Sequence, residues 1–124
     1  MATKIDPAKV EAEIAVMTER LTSLANTEGL EGVVMRMQLA LIPPFIRWKF
    51  SEMNGVTTDN QICNAFVAFV SSQMAGLVAD CVDDTNERYA LANRLLQGIG
   101  EEVGSIFAGT SGVTTQTVPA EPVN

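Results

Sequence analysis

From Asn60 to Ala79 the chain runs for twenty residues without a charged side chain, and that run has two unlike faces. At about 100° per residue, Ile62, Phe66, Phe69, Val70, Met74, Leu77 and Val78 cover one broad side of a helix. Ala65, Ala68, Ser72, Ala75, Gly76 and Ala79 cover the other, with Asn64 and Ser71 at its edge. A surface helix carries Lys and Glu opposite its apolar side. Here the second side is alanine, serine and glycine, which let helix axes approach closely. The pattern predicts a helix packed on both sides, the centre of an all-α domain.

Two occupants fit the small-residue side. Another helix of the same chain can fill it, or the face can meet its own copy across a two-fold axis, the commonest symmetry of oligomers. A bilayer matches the length. Against a membrane span, Gln61, Asn64 and Gln73 interrupt the run, acidic residues bound both ends, and no Lys or Arg lies near its C-terminal end.

Helices are expected on either side of this one. Asp6 as N-cap and Pro7 at the first helical position open a helix over about 7–26. Val10, Ile14, Met17, Leu21 and Leu24 then recur at spacings of four and three, a narrow seam suited to helix packing. Asn26 to Gly29 reads as a turn. A second helix over about 30–42 carries Leu30, Val33, Val34, Met37 and Leu41 on one face, and Met35, Leu39 and Ile42 on the other side.

Pro43-Pro44 is expected to stop or sharply kink that helix, because proline removes a donor and disfavours helix in the preceding residue. A short helix over 44–53 then ends at Asn54-Gly55. Thr58 with Gln61 forms a capping box for the central helix, residues 59–82, and Asp84 with Glu87 opens a last helix, 84–108. That helix is amphipathic, with Ala92, Leu95, Leu96, Ile99, Val103, Ile106 and Phe107 inward. Residues 109–124 lack periodicity and read as a flexible tail. The expected fold is a compact all-α bundle of four to five helices around the central apolar helix, a single domain over residues 1–108.

Composition narrows the function classes. The 124 residues carry a net charge of −7 with eight scattered Lys and Arg, which argues against binding a nucleic-acid backbone. Histidine is absent, which removes the commonest general base and metal ligand and every Ser-His or Cys-His arrangement. Cys63 and Cys81 lie roughly 27 Å apart on one helix at 1.5 Å per residue, too far for a disulfide. They read as buried free thiols. With no signal peptide evident at the N-terminus, the expectation is a cytoplasmic protein.

Three further constellations carry charge, aromatic side chains or glycines at short spacing. Phe45, Arg47, Trp48 and Lys49 place an aromatic beside two cations, away from Ile46, Phe50 and Met53. This is the composition of an interaction hot spot, or of a stacking platform for a nucleotide-like anion. The alternative is that Trp48 packs in the core while the cations snorkel. Asp80, Asp83, Asp84 and Glu87 fit helix capping better than a metal loop. Gly98-Ile99-Gly100-Glu101-Glu102-Val103-Gly104 has the wrong spacing for a phosphate loop and falls inside a helix, where its glycines could admit the central helix.

The expectation is therefore a non-enzymatic homo-oligomer, a dimer in the simplest case, without cofactor or metal. It would act by occupying a protein partner through Phe45, Arg47, Trp48 and Lys49, and associate through Ala65, Ala68, Ser72, Ala75, Gly76 and Ala79. A structural subunit of a larger assembly and a binder of a small anion are the alternatives.

Overall fold

The computed structural model describes the backbone of residues 3–111 and 121–122. It is all-helical apart from one pair of two-residue strands. In chain order these elements are β1 (Thr3–Lys4), α1 (Pro7–Leu24), α2 (Gly29–Asn54), α3 (Asp59–Cys81), α4 (Thr85–Ala108) and β2 (Glu121–Pro122). The described residues divide into two units, residues 3–62 with 121–122, and residues 63–111. The tail expected over 109–124 lies mostly outside the described residues.

The first unit is built on the packing of α1 against α2. The Asp6 carboxylate accepts from the Ala8 amide at 2.9 Å and starts α1. Of the seam read from the sequence, Val10, Ile14, Met17 and Leu21 are buried, together with Ile5, Ile46 and Phe50, while Leu24, the last residue of α1, is exposed. Met35, Leu39 and Ile42 of α2 pack against this cluster. The α1–α2 turn holds because Gly29 takes φ +78, a left-handed conformation that glycine adopts at little cost. Gly32 is buried under the turn, where an added Cβ would sit 1.6 Å from the Thr27 carbonyl oxygen. Arg36 donates to the Ala25 carbonyl at 2.9 Å and so caps α1 from the next helix.

Pro43-Pro44 does not break α2. Two intrahelical donors are lost, yet Met35, Leu39 and Ile42 before the prolines share one face with Ile46 and Phe50 after them. Burying both sets against α1 requires the helix phase to continue through the pair, and that packing outweighs the local preference. At the far end, Asn54 acts as a strand partner for the N-terminal segment. Its Oδ1 accepts from the Ile5 amide at 2.8 Å and its Nδ2 donates to the Ile5 carbonyl at 2.6 Å. Beyond Ile5, β1 pairs antiparallel with β2, Thr3 opposite Pro122 and Lys4 opposite Glu121.

The hydrophobic centre therefore lies between α1 and α2, and the expectation that it lies on α3 is corrected. Val78 is the one buried residue of α3, and Cys63 and Cys81 are exposed rather than buried. The capping box that starts α3 is formed as expected: Gln61 Oε1 accepts from the Thr58 amide at 2.9 Å and Thr58 Oγ1 from the Gln61 amide at 3.2 Å. In the second unit, Asp84 caps α4 by accepting from the Glu87 amide at 3.0 Å. Arg88 donates to the carbonyls of Val82 at 2.6 Å and Ala79 at 3.3 Å, closing the end of α3. Gly109, at φ +73, ends α4. Among the described residues none of α4 is buried, and α3 and α4 do not lie along each other.

Ile14→Ala removes a side chain from the α1–α2 cluster and is expected to lower unfolding free energy by about 2–5 kcal/mol. Leu30→Ala, at a residue 79% exposed, should change it by less than about 0.5 kcal/mol. Urea denaturation of the two variants at low protein concentration checks the contrast.

Candidate functional site

Because α2 is continuous, its outer side is continuous too. With the core face fixed by Leu39, Ile46 and Phe50, about 100° per residue places Leu30, Val33, Met37, Leu41 and Trp48 on the opposite side, with Phe45 beside them. Leu30, Val33, Met37 and Leu41 are all exposed, and Phe45 and Trp48 are half-buried. The stripe runs roughly 27 Å at 1.5 Å per residue. Sequence reading found its C-terminal end at Phe45 and Trp48. It missed the union with Leu30, Val33, Met37 and Leu41 because a break at the prolines was expected between them.

The Phe45–Lys49 segment does not gather its groups around one point. Phe45 and Trp48 rings are tilted at 39° with centroids 5.8 Å apart. Arg47 turns toward α1 and makes a two-pronged ion pair with Glu11, Nε to Oε1 at 2.9 Å and Nη2 to Oε2 at 3.1 Å. Lys49 lies over the Phe50 ring, 4.6 Å from its centroid, and 5.8 Å from that of Phe45. Burial holds the Lys49 ammonium below the usual lysine value. Arg47 and Lys49 are thus directed to opposite flanks of the stripe, each with an intrachain contact.

Beside the ion pair is an open groove lined by Val10, Glu11, Arg47, Phe50 and Ser51, among others. Its charged rim is one carboxylate and one guanidinium already satisfying each other, so it offers no excess positive charge to an anion. Hydrogen bonding from Arg47, aided by its charge, holds the Glu11 carboxyl below its usual value. Among the described residues, no three side chains of His, Cys, Asp or Glu stand close enough together to hold a metal ion.

The residues read as an oligomer interface lie on open surface. Ala65, Ala68, Ser72, Ala75 and Gly76 are exposed and Ala79 half-buried. A Cβ built on Gly76 meets nothing within 4 Å, and the same holds for Gly98, Gly100 and Gly104 of α4. The glycines of α4 therefore do not receive the central helix. On the other side of α3, Phe69 and Leu77 are exposed as well. By length and composition α2 and α3 could each cross a membrane. No protein-family model matches this sequence, and comparison with curated proteins and with solved structures found no match.

A group whose carboxyl is acidified on folding adds stability above its ordinary pKa and loses it as pH falls through the folded value. The Glu11–Arg47 pair is solvent-exposed, so its contribution is small and screened by salt. The stability gap between the wild type and Glu11→Gln at neutral pH is expected to shrink in molar salt, and to close as pH drops below about 4.5. Thermal melts across pH and ionic strength measure both effects.

Proposed function

We propose that this is a non-enzymatic, self-associating helical protein, a structural subunit whose outer α2 stripe and whose helices α3 and α4 are buried against other copies of the chain. The observation that carries the reading is the state of the second unit: two long helices bearing many large apolar side chains, with Val78 the one buried residue of α3 and none buried in α4 among the described residues. Exposed apolar patches beyond a few hundred Å² mark association sites in soluble proteins.

The absence of histidine and, among the described residues, of a converging polar site supports an associative role over a catalytic one.

A second reading is favoured by the shape of the α2 stripe. Leu30, Val33, Met37, Leu41, Phe45 and Trp48 recur at helical spacing on one narrow face, the pattern with which a helix docks into a partner's groove. A regulator that occupies a different protein would use the same face.

Light scattering after size exclusion, over a hundredfold concentration range, separates these. Mass that grows with concentration, or a closed multiple of the chain, supports self-association. A monomer at every concentration overturns it, and co-flotation of that monomer with lipid vesicles would reassign the apolar helices to a bilayer. Met37→Glu with Leu41→Glu is expected to weaken association at least about tenfold, equivalent to about 1.4 kcal/mol, while the α1–α2 unit keeps its urea midpoint. Trp48→Ala should act in the same direction. A steep loss of melting temperature with association intact would place Trp48 in the core instead.

A further inference from the structure

Helix α4 has a seam more regular than any other uncovered face. Tyr89, Ala92, Leu96, Ile99, Val103 and Ile106 alternate at spacings of three and four, the a and d positions of a heptad repeat. Tyr89, Leu96, Ile99 and Val103 are exposed, and Ala92 and Ile106 half-buried. The positions farthest from the seam are Glu87, Arg94 and Glu101. With Leu95 and Phe107 at its edges and charge behind it, the seam matches the width of one neighbouring helix.

We propose that α4 pairs antiparallel with α4 of a second copy, about a two-fold axis at Gln97-Gly98, with Leu96 of each chain against Ile99 of the other. The proposal rests on the self-association reading above and is narrower than it. Three observations select this occupant and this direction. First, residues equidistant from the axis form balanced layers: Tyr89 with Ile106, Ala92 with Val103 and Leu96 with Ile99. A parallel pair would instead stack tyrosine on tyrosine beside alanine on alanine, alternating a crowded layer with an empty one, whereas well-filled interfaces set large against small.

Second, Asp80, Asp83, Asp84 and Glu87 crowd the N-terminal end of α4. A parallel pair brings both clusters together, within the roughly 8–10 Å over which charges act in physiological salt. The antiparallel pair keeps them at opposite ends and sets the helix dipoles head to tail. Third, beside the seam Gly100 of one chain comes opposite Asn93 of the other. A Cβ at Gly100 has open space around it in the single chain, so a glycine in mid-helix weakens the helix there with no compensation. A close neighbouring helix supplies one.

The test uses the full-length chain with Cys63→Ser and Cys81→Ser, both at exposed positions, carrying either Tyr89→Cys or Ile106→Cys. Each variant is oxidised alone, then the two are mixed, allowed to exchange subunits and oxidised together. The expected result is a disulfide dimer containing one chain of each kind, at least about tenfold more abundant than the dimer from either variant alone. In the proposed pair two copies of position 89 stand roughly 25 Å apart at 1.5 Å per residue, so Tyr89→Cys should not link to itself.

Ready self-linking of Tyr89→Cys overturns the antiparallel direction. An oligomer by light scattering without any cross-link overturns the α4 pair and leaves the broader reading standing. A monomer removes both. Circular dichroism confirms that each variant remains helical. As an independent measurement, Leu96→Glu and Ile99→Lys should each weaken association about tenfold or more, and their mixture should recover it, because only the antiparallel pair sets Glu against Lys.

Discussion

The packing of one side of α1 against one side of α2 is the constraint from which the rest of this molecule follows. It buries Val10, Ile14, Met17, Leu21, Ile46 and Phe50 in one cluster, and it needs α2 in a single phase over Met35 to Phe50. Two prolines in mid-helix are tolerated for that reason. Once the inward phase is set, the outward phase is set as well: Leu30, Met37, Leu41 and Trp48 have no other direction available. The exposed stripe is thus a geometric corollary of the core. Likewise Arg36, projecting from the start of α2, reaches the end of α1 only because the two helices are held in this pairing.

Much of the local structure was legible in the sequence. The Asp6 cap, the α1 seam, the Thr58–Gln61 box, the Asp84 cap and the stop at Asn54-Gly55 all rest on short-range chemistry that neighbouring residues settle among themselves. The continuity of α2 was not legible. A Pro-Pro pair carries a strong local signal, and the opposing term comes from α1, distant in sequence. The two faces of α2 posed a related problem. Both are apolar, and periodicity separates the faces without saying which one the chain itself covers. The face led by Leu30 and Val33 is the outer one, and the face with Met35, Leu39 and Ile42 packs on α1.

The same limit explains α3 and the candidate site. A helix without charge on either side was read as the centre of the domain, because apolar surface ordinarily ends inside. The pattern marks an apolar surface, and it is silent on whether the chain itself covers it. For Phe45, Arg47, Trp48 and Lys49, adjacency in sequence suggested a cluster, but on a helix consecutive residues diverge by about 100°. Glu11, the residue that engages Arg47, stands thirty-six positions away, and nothing in local spacing marks it.

The division of the chain also sets an order of events during synthesis. The α1–α2 cluster draws on residues from Ile5 to Phe50, all translated before α3 and α4. Domains formed early in translation can fold as units while the remainder is still being made. By the time the uncharged run at Asn60–Ala79 emerges, every residue of that cluster has been made, and α3 contributes none to it. A sequence with α3 first would offer the same helices to an unfilled core. Gene order, as much as side-chain chemistry, thus lets the α1–α2 cluster be complete before α3 and α4 exist.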